Sequence, residues 1–295
     1  MKNLLKISAV ALSLATALVP SARAASSWGV TFAGQTGAGS TYTDGSETIT
    51  KAQTSYTSTG VSGLTLNISG AYATNGSGNK GLASGNWNTS TSTPEGATVD
   101  YYGGYGLAMD SNGAVPPAHA LGNSGNTEAV LMSFSQAVAL SSLNLGYVCT
   151  STTNGTSCDS HGANVSIFAY TGTGTPTALS NVAANGMPST AGTQASNGWT
   201  LVGNYAGLQG GANAVDASGI TSSWFLVSAY NTAFGTSSAN GNASWLSEGT
   251  DYFKIYSVAG STAPTTKKTP EPGSLALAGV ALLGAAWTRR RARKA

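Results

Sequence analysis

Charge is the scarcest property of this 295-residue chain: 8% of its residues are Asp, Glu, Lys or Arg, against roughly 25% in an ordinary soluble domain. Histidine and cysteine number two each. The cysteine pair, Cys149 and Cys158, has only His161 nearby as a further ligand, so a four-coordinate metal site there lacks its last member. No Gly-x-Ser-x-Gly elbow is placed between a strand and a helix, which removes the usual hydrolase signature. No EF-hand loop or nonapeptide Asp-Gly repeat is present. Helical periodicity is absent too: between residues 26 and 262 no ten-residue amphipathic stretch can be written.

What fills the chain instead is Ser, Thr, Asn and 39 Gly, residues that favour turns over helix interiors. Aromatic and β-branched residues still cluster in short runs, so a core is available and the chain is not a disordered polar tract. The formal net charge of +2 hides a segregation. Between residues 26 and 262 three bases (Lys51, Lys80, Lys254) stand against ten acids, leaving that body at −7. Such a body has no basic footprint for nucleic acid.

The bases sit at the ends. Residues 1–24 read as a secretory signal peptide: Lys2 and Lys6 are followed by an apolar stretch from Ile7 to Val19. Ala22 and Ala24 then flank Arg23 as an A-x-A signal-peptidase site. An uncleaved anchor helix is the alternative. At the far end Pro270-Glu271-Pro272 precedes an apolar run from Leu275 to Trp287, capped at its start by Ser274. Arg289, Arg290, Arg291, Arg293 and Lys294 close the chain. Thirteen helical residues span roughly 20 Å, short of the ~30 Å hydrocarbon core. Flanking residues and snorkelling arginines stretch this to a marginal span. The positive-inside rule holds its basic end in the cytoplasm. A GPI-anchored precursor is the topological rival, and the basic tail counts against it.

The order Pro-Glu-Pro, short apolar helix, basic end resembles the tripartite sorting signal of PEP-CTERM proteins, over about the last 26 residues. Thr269 stands where that family often has Val. The resemblance implies handling by signal peptidase and by an exosortase, a membrane cysteine protease. The precursor would sit in the inner membrane with its body periplasmic, and the mature form at the cell surface or outside it. A second resemblance covers residues ~128–260: Glu128–Phe134, Leu143–Tyr147, Trp199–Gly203, Ser223–Asn231 and Asp251–Ile255 follow the order of exosortase-dependent surface proteins. It implies a β-sandwich body without assigned activity.

The residues of the body read as strands as well. Leu64, Leu66 and Ile68 alternate with polar partners, as do Leu143, Leu145, Tyr147 and Cys149. Val165–Tyr170, Trp224–Tyr230 and Tyr252–Val258 are denser, as expected of sheets packed on another layer. Asn75–Asn79 and Asn185-Gly186 read as positive-φ turns. The expected class is all-β, a β-sandwich or jelly roll, over residues 25–260. Residues 73–127 read as loop-rich excursions, and 261–269 as a spacer before the sorting signal at 270–295.

Candidate chemistry is thin. Eight residues, including the turn pair Asn154-Gly155, separate Cys149 from Cys158. A disulfide there would contribute about 2–3 kcal/mol; a reactive or metal-binding pair is the alternative. His161, beside Asp159 and Ser160, reads as an exposed loop histidine. No spacing singles out a carboxylate pair for glycoside hydrolysis. A structural calcium in an Asp-containing loop is an expectation without assigned ligands. Trp87, Tyr101, Tyr102, Tyr105 and Trp245 fall in Gly-rich surroundings; each taken singly reads first as a core plug or loop anchor, and as a set they are candidates for stacking on sugar rings.

These features lead to a non-enzymatic surface or exopolysaccharide-matrix protein that needs no cofactor. The alternative is a carbohydrate-binding module for the host's own polysaccharide. Replacing Pro270, Glu271 and Pro272 with Ala is expected to leave unprocessed precursor in the inner membrane. Immunoblots of fractionated cells check this, and normal processing of the variant would remove the motif's assigned role.

Overall fold

Wherever Gly- and Asn-rich turns break the chain, the segments between them are short, β-branched or aromatic, and they pair. The computed structural model describes residues 25–34, 41–44, 47–76, 83, 85–91, 96–109, 119–151, 158–159, 161–216, 218–247 and 249–263. The early strands are β1 (Ser27–Thr31), β2 (Thr41–Asp44), β3 (Glu47–Lys51), β4 (Ser55–Thr57) and β5 (Thr65–Thr74). Next come β6 (Asp100–Tyr102), β7 (Gly106–Ala108), β8 (Leu121–Gly122), β9 (Asn126–Ser151) and β10 (Cys158–Asp159). The last are β11 (Ala163–Tyr170), β12 (Trp199–Leu208), β13 (Gly211–Ala214), β14 (Thr221–Ala229) and β15 (Asp251–Thr262). Helical structure among the described residues is limited to three-residue 3₁₀ turns such as Leu179–Asn181 and Ala243–Trp245. The chain is all-β, as its composition requires.

These strands lie in the unit Ser26–Ala263. The other unit, Met1–Ala25 with Pro264–Ala295, falls outside the described residues except for Ala25. The signal segment with Ala22 and Ala24, the Pro270–Pro272 motif and the basic cluster at 289–294 are therefore not described. No helix among the described residues is long and apolar enough to cross a membrane.

Hydrogen bonds run along the path β12-β11-β14-β9-β15-β7-β6-β3-β2, with the remaining strands attached at its sides. Strand β9 organises this path because β5 pairs with its first half, β15 and β13 with its second, and β14 with both. Up to Phe134 it lies between β5 and β14; at Val138 and Ala139 it still pairs with β14 while β15 takes its other side, and over Ser142–Leu145 it pairs with β15 and β13. The exposed turn of polarity at Ser135–Ala137 marks the passage between the halves. The sequence pattern separates Glu128–Phe134 from Leu143–Tyr147 as two strands. In the structure they are one, since backbone pairing continues through the polar residues.

Both halves supply the same core. Val130, Met132 and Phe134 from the first half and Val138, Leu140, Leu143 and Leu145 from the second are in one buried cluster. Leu66, Ile68, Val165, Ile167, Phe225, Phe253 and Ile255 join it. Odd-even alternation sends the other side chains of β5, β11 and β14 to a second cluster. There Ala71, Phe168 and Leu226 are covered by Trp87, Leu179, Met187 and Phe234. Burial on both faces explains the dense apolar reading of β11 and β14.

Four expectations are corrected. Leu143, Leu145, Tyr147 and Cys149 do not share a face: the register of β9 against β15 shifts between Lys254↔Tyr147 and Ile255↔Leu145. Leu143 and Leu145 stay in the main core, while Cys149 packs with Ala120 and Tyr252, and Tyr147 lies against them. Second, the described parts of residues 73–127 include segments packed into the body. Val99, Leu107, Met109 and Leu121 enter the main core, and Ala97 crosses so close to Gly70 that a Cβ there would lie 2.3 Å from its carbonyl oxygen. Third, Asn185-Gly186 belongs to the 3₁₀ turn Ala184–Gly186, and Gly186 is not among the positive-φ glycines. Fourth, β15 runs to Thr262, whose N–H donates to the Ser26 carbonyl at 2.9 Å. Ser261 and Thr262 thus belong to the sheet rather than to a spacer.

Close strand approach fixes one glycine. A Cβ on Gly260 would lie 1.8 Å from the Ala139 carbonyl oxygen. Gly260→Ala is expected to destabilise the body by about 3 kcal/mol, the upper range for overpacking against groups that cannot yield. Gly210→Ala, where the nearest neighbour would be 3.8 Å away, is expected to stay within about 0.5 kcal/mol. Urea unfolding of the two variants checks the pair; equal midpoints would contradict the packing argument.

Candidate functional site

Glycine places the most unusual side-chain group of the molecule. The β6–β7 connection is a tight turn in which the Tyr105 N–H donates to the Tyr102 carbonyl at 2.7 Å. It lies down on β9 and β15 at two positions. A Cβ on Gly106, at φ 98°, would sit 2.1 Å from the Ile255 carbonyl oxygen, and one on Gly146 would sit 2.3 Å from that of Tyr105. With no side chain at either place, Tyr102 and Tyr105 are carried over Lys254, which is opposite Tyr147 in the β9–β15 register.

The result is a lysine enclosed by three tyrosine rings. The Lys254 Nζ is 4.2 Å from the ring centroid of Tyr147, 4.8 Å from that of Tyr102 and 5.8 Å from that of Tyr105. Ring faces attract a cation through their quadrupole, about 0.5–2 kcal/mol for each good contact. Behind Tyr102 lies His119, stacked at 5.2 Å and 24°. His119 adopts φ 59°, uncommon for a residue with a Cβ. Tyr105 meets Tyr147 edge-on at 6.2 Å. Lys254 is only 5% exposed, whereas Tyr105 at the rim is 51% exposed. Burial lowers the Lys254 pKa to about 8. Burial first, and Tyr105 second, raise that of Tyr147.

A second aromatic surface forms where the 3₁₀ turn Ala243–Trp245 crosses β12. The Trp245 ring lies over Gly207, whose Cβ would come within 2.7 Å of it. His161 packs edge-on against Trp245 at 5.6 Å. The turn is tied down from below, since Asn164 Nδ2 donates to the Trp245 carbonyl at 2.9 Å and to Asp251 Oδ2 at 3.2 Å. The same Oδ2 accepts from Asn123 Nδ2 at 2.8 Å, and Asp251 Oδ1 accepts from the Asn164 N–H at 3.0 Å. Amide donors therefore surround the fully buried Asp251 carboxylate. Glu128, also buried, accepts from the Gly122 N–H at 2.8 Å.

The sequence candidates divide accordingly. Trp87 is 1% exposed and stacks on Phe234 in the second core cluster, so it is not a surface ring. Tyr101 and Tyr102 are half-buried, and Tyr105 and Trp245 are exposed. His161 is exposed and His119 buried. Cys149 is buried and is not a free thiol; β10 pairs Cys158 with Ser151, two residues along β9 from it. Asn154-Gly155 lies outside the described residues. No group of three or more His, Cys, Asp or Glu among the described residues is placed to hold a metal ion. Sequence reasoning passed over Lys254. Its signal was present: a lone lysine in the run Asp251-Tyr-Phe-Lys-Ile255, on the same strand face as Tyr252.

Residues 268–291 match the family model for the PEP-CTERM protein-sorting motif. No curated protein and no solved structure matches the chain.

The Lys254 box has a measurable consequence. Because burial lowers its pKa, the folded chain binds that proton less well than the unfolded chain does, so stability rises with pH where the two differ. The penalty is complete below about pH 8 and is relieved between there and the ordinary value of 10.5. The raised phenols of Tyr56, Tyr147, Tyr205 and Tyr252 act in the opposite sense, but only above their ordinary 10.0. The phenols facing the ammonium are those of Tyr102, Tyr105 and Tyr147. Lys254→Met is therefore expected to flatten the rise in urea midpoint between about pH 8 and 10. Identical slopes for variant and parent would remove Lys254 as its source.

Proposed function

We propose, with the PEP-CTERM sorting motif at residues 268–291 as premise, that this chain is a non-catalytic structural or adhesive protein of the cell surface or exopolysaccharide matrix. The motif indicates an exported protein whose membrane-anchored precursor is processed by an exosortase. In our reading residues 1–24 direct export and are cut after Ala24. The basic end, Arg289 to Lys294, keeps that terminus in the cytoplasm until the exosortase acts. The body folds outside as a sandwich-like domain in which the two halves of β9 contribute to facing layers. A Cys149–Cys158 disulfide closes the β9–β10 hairpin in that oxidising compartment.

The absence of catalysis is supported by how the reactive groups are spent. Asp251 and Glu128 accept hydrogen bonds from amides, and both histidine rings pack on aromatic neighbours. A second reading, a carbohydrate-binding module, is favoured by the two exposed large aromatics, Tyr105 and Trp245. Tyrosine and tryptophan offer sugars an apolar face with a polar edge.

Intact-mass analysis of the secreted and membrane fractions of the native host tests the main reading. The expected product lacks residues 1–24 and ends near Pro270, and it gains the mass of two hydrogens on reduction. A mature mass that retains Leu275 to Ala295 would make the tail a permanent anchor and overturn exosortase release. An unchanged mass on reduction would remove the disulfide alone.

A further inference from the structure

Lys254 has three N–H donors and no acceptor for them. Among the described residues it forms no hydrogen bond or ion pair, and its neighbours are the ring faces of Tyr102, Tyr105 and Tyr147. Residual attraction to rings satisfies part of an ammonium's field but none of its directional donors. A side chain 95% removed from solvent would ordinarily find a carboxylate or carbonyl partner. The ammonium is not sealed off, however: it is absent from the fully enclosed unpartnered atoms, which include the indole nitrogens of Trp28, Trp87 and Trp199. One wall of the enclosure, Tyr105, is also the most exposed large hydrophobic side chain among the described residues.

We propose that this box is a binding site for a carboxylated sugar, its carboxylate meeting the Lys254 ammonium and its ring lying on Tyr105. The proposal rests on the surface reading above and names the ligand chemistry of its carbohydrate-binding form. Three features select that chemistry. One isolated ammonium, with no arginine beside it, matches a single negative charge better than a phosphate dianion, which attracts several donors. Ring walls exclude a freely hydrated ion but accept the C–H face of a pyranose, and phenol hydroxyls reach its hydroxyl groups. The walls are also preformed, because Gly106 and Gly146 seat the Tyr102–Tyr105 turn directly on β15 and β9. The acidic body opposes an anion only at long range, where salt screens beyond ~8 Å.

Calorimetric titration of the exported protein with trigalacturonate, its neutral methyl ester and acetate tests this. Trigalacturonate is expected to bind, with the ester and acetate at least about tenfold weaker, the usual scale for losing a charge-assisted bond. Lys254→Met and Tyr105→Ala are each expected to lose about tenfold. Tyr105 is exposed, so its replacement leaves the core intact and keeps the test valid if the lysine variant folds poorly. Protection of the Lys254 amine from acetylation by trigalacturonate, read by peptide mass, is the second measurement.

Acid and ester binding alike would remove the ammonium from recognition. Acetate binding as tightly as trigalacturonate, unaffected by Tyr105→Ala, would leave a simple anion site and overturn the sugar. No binding and no protection would make Lys254 a structural plug. The intact mass of the same preparation separates the two readings. A processed chain that binds no trigalacturonate removes this proposal alone, whereas an unprocessed chain that binds removes only exosortase release.

Discussion

The antiparallel pairing of β9 with β15 is the constraint on which the rest of the body depends. It joins Val138–Thr150 to Asp251–Thr262, residues far apart in sequence, and it is interrupted by three register shifts. Each shift redirects side chains. Near Ser141 it returns both Leu140 and Leu143 to the main core; near Gly146 it sends Tyr147 and Cys149 to the opposite face. Bulges of this kind bend a strand and re-aim its residues. Without the shift at Gly146, Leu145 and Tyr147 would share one face, so either Tyr147 would leave the tyrosine box or Leu145 would leave the core. The outer edge of β15 then carries β1, β7 and β8, so the β6–β7 turn inherits its position from the same pairing.

Polar burial follows two contrasting solutions along β15. At its start, Asp251 is matched group for group: Asn123 and Asn164 donate to it, and its own N–H donates to Asn123 Oδ1 at 2.9 Å. A fully connected network of this type rigidifies its surroundings, because each member would be costly to leave unpaired. It joins the Tyr230 carbonyl, through Asn123 Nδ2 at 2.9 Å, to the Trp245 turn. Three residues later, Lys254 is surrounded by rings and lacks a directional partner. The difference lies in the available neighbours. Asp251 faces the amides of Asn123, beyond β8, and of Asn164, near the start of β11, whereas Lys254 faces a tyrosine turn brought down by two glycines.

The strands themselves were legible because a half-buried strand shows its period locally. The Leu64–Ile68 alternation is the start of β5, and Val165–Tyr170, Trp224–Tyr230 and Tyr252–Val258 lie within or overlap β11, β14 and β15. The continuity of β9 was not legible, since Ser135–Ala137 reads as a polar break when only side chains are considered. The burial of Trp87 could not be told from its flanks for a related reason. Its flanks are polar and glycine-rich, yet its backbone N–H donates to the Val182 carbonyl at 3.0 Å and its ring closes a cluster built by residues about a hundred positions away.

By itself the sequence determined that the chain is all-β, that its body is acidic and that its C-terminal segment carries a sorting motif. Composition, charge segregation and a contiguous tripartite signal are local properties, readable without knowing any contact. Tertiary structure decided which aromatic rings are exposed, where the faces of β9 switch, and that Lys254 lies among Tyr102, Tyr105 and Tyr147. Those outcomes depend on strand register and on close backbone approach at glycines. Both are set by pairing between distant segments, and a one-residue shift in such pairing exchanges the two faces of a strand.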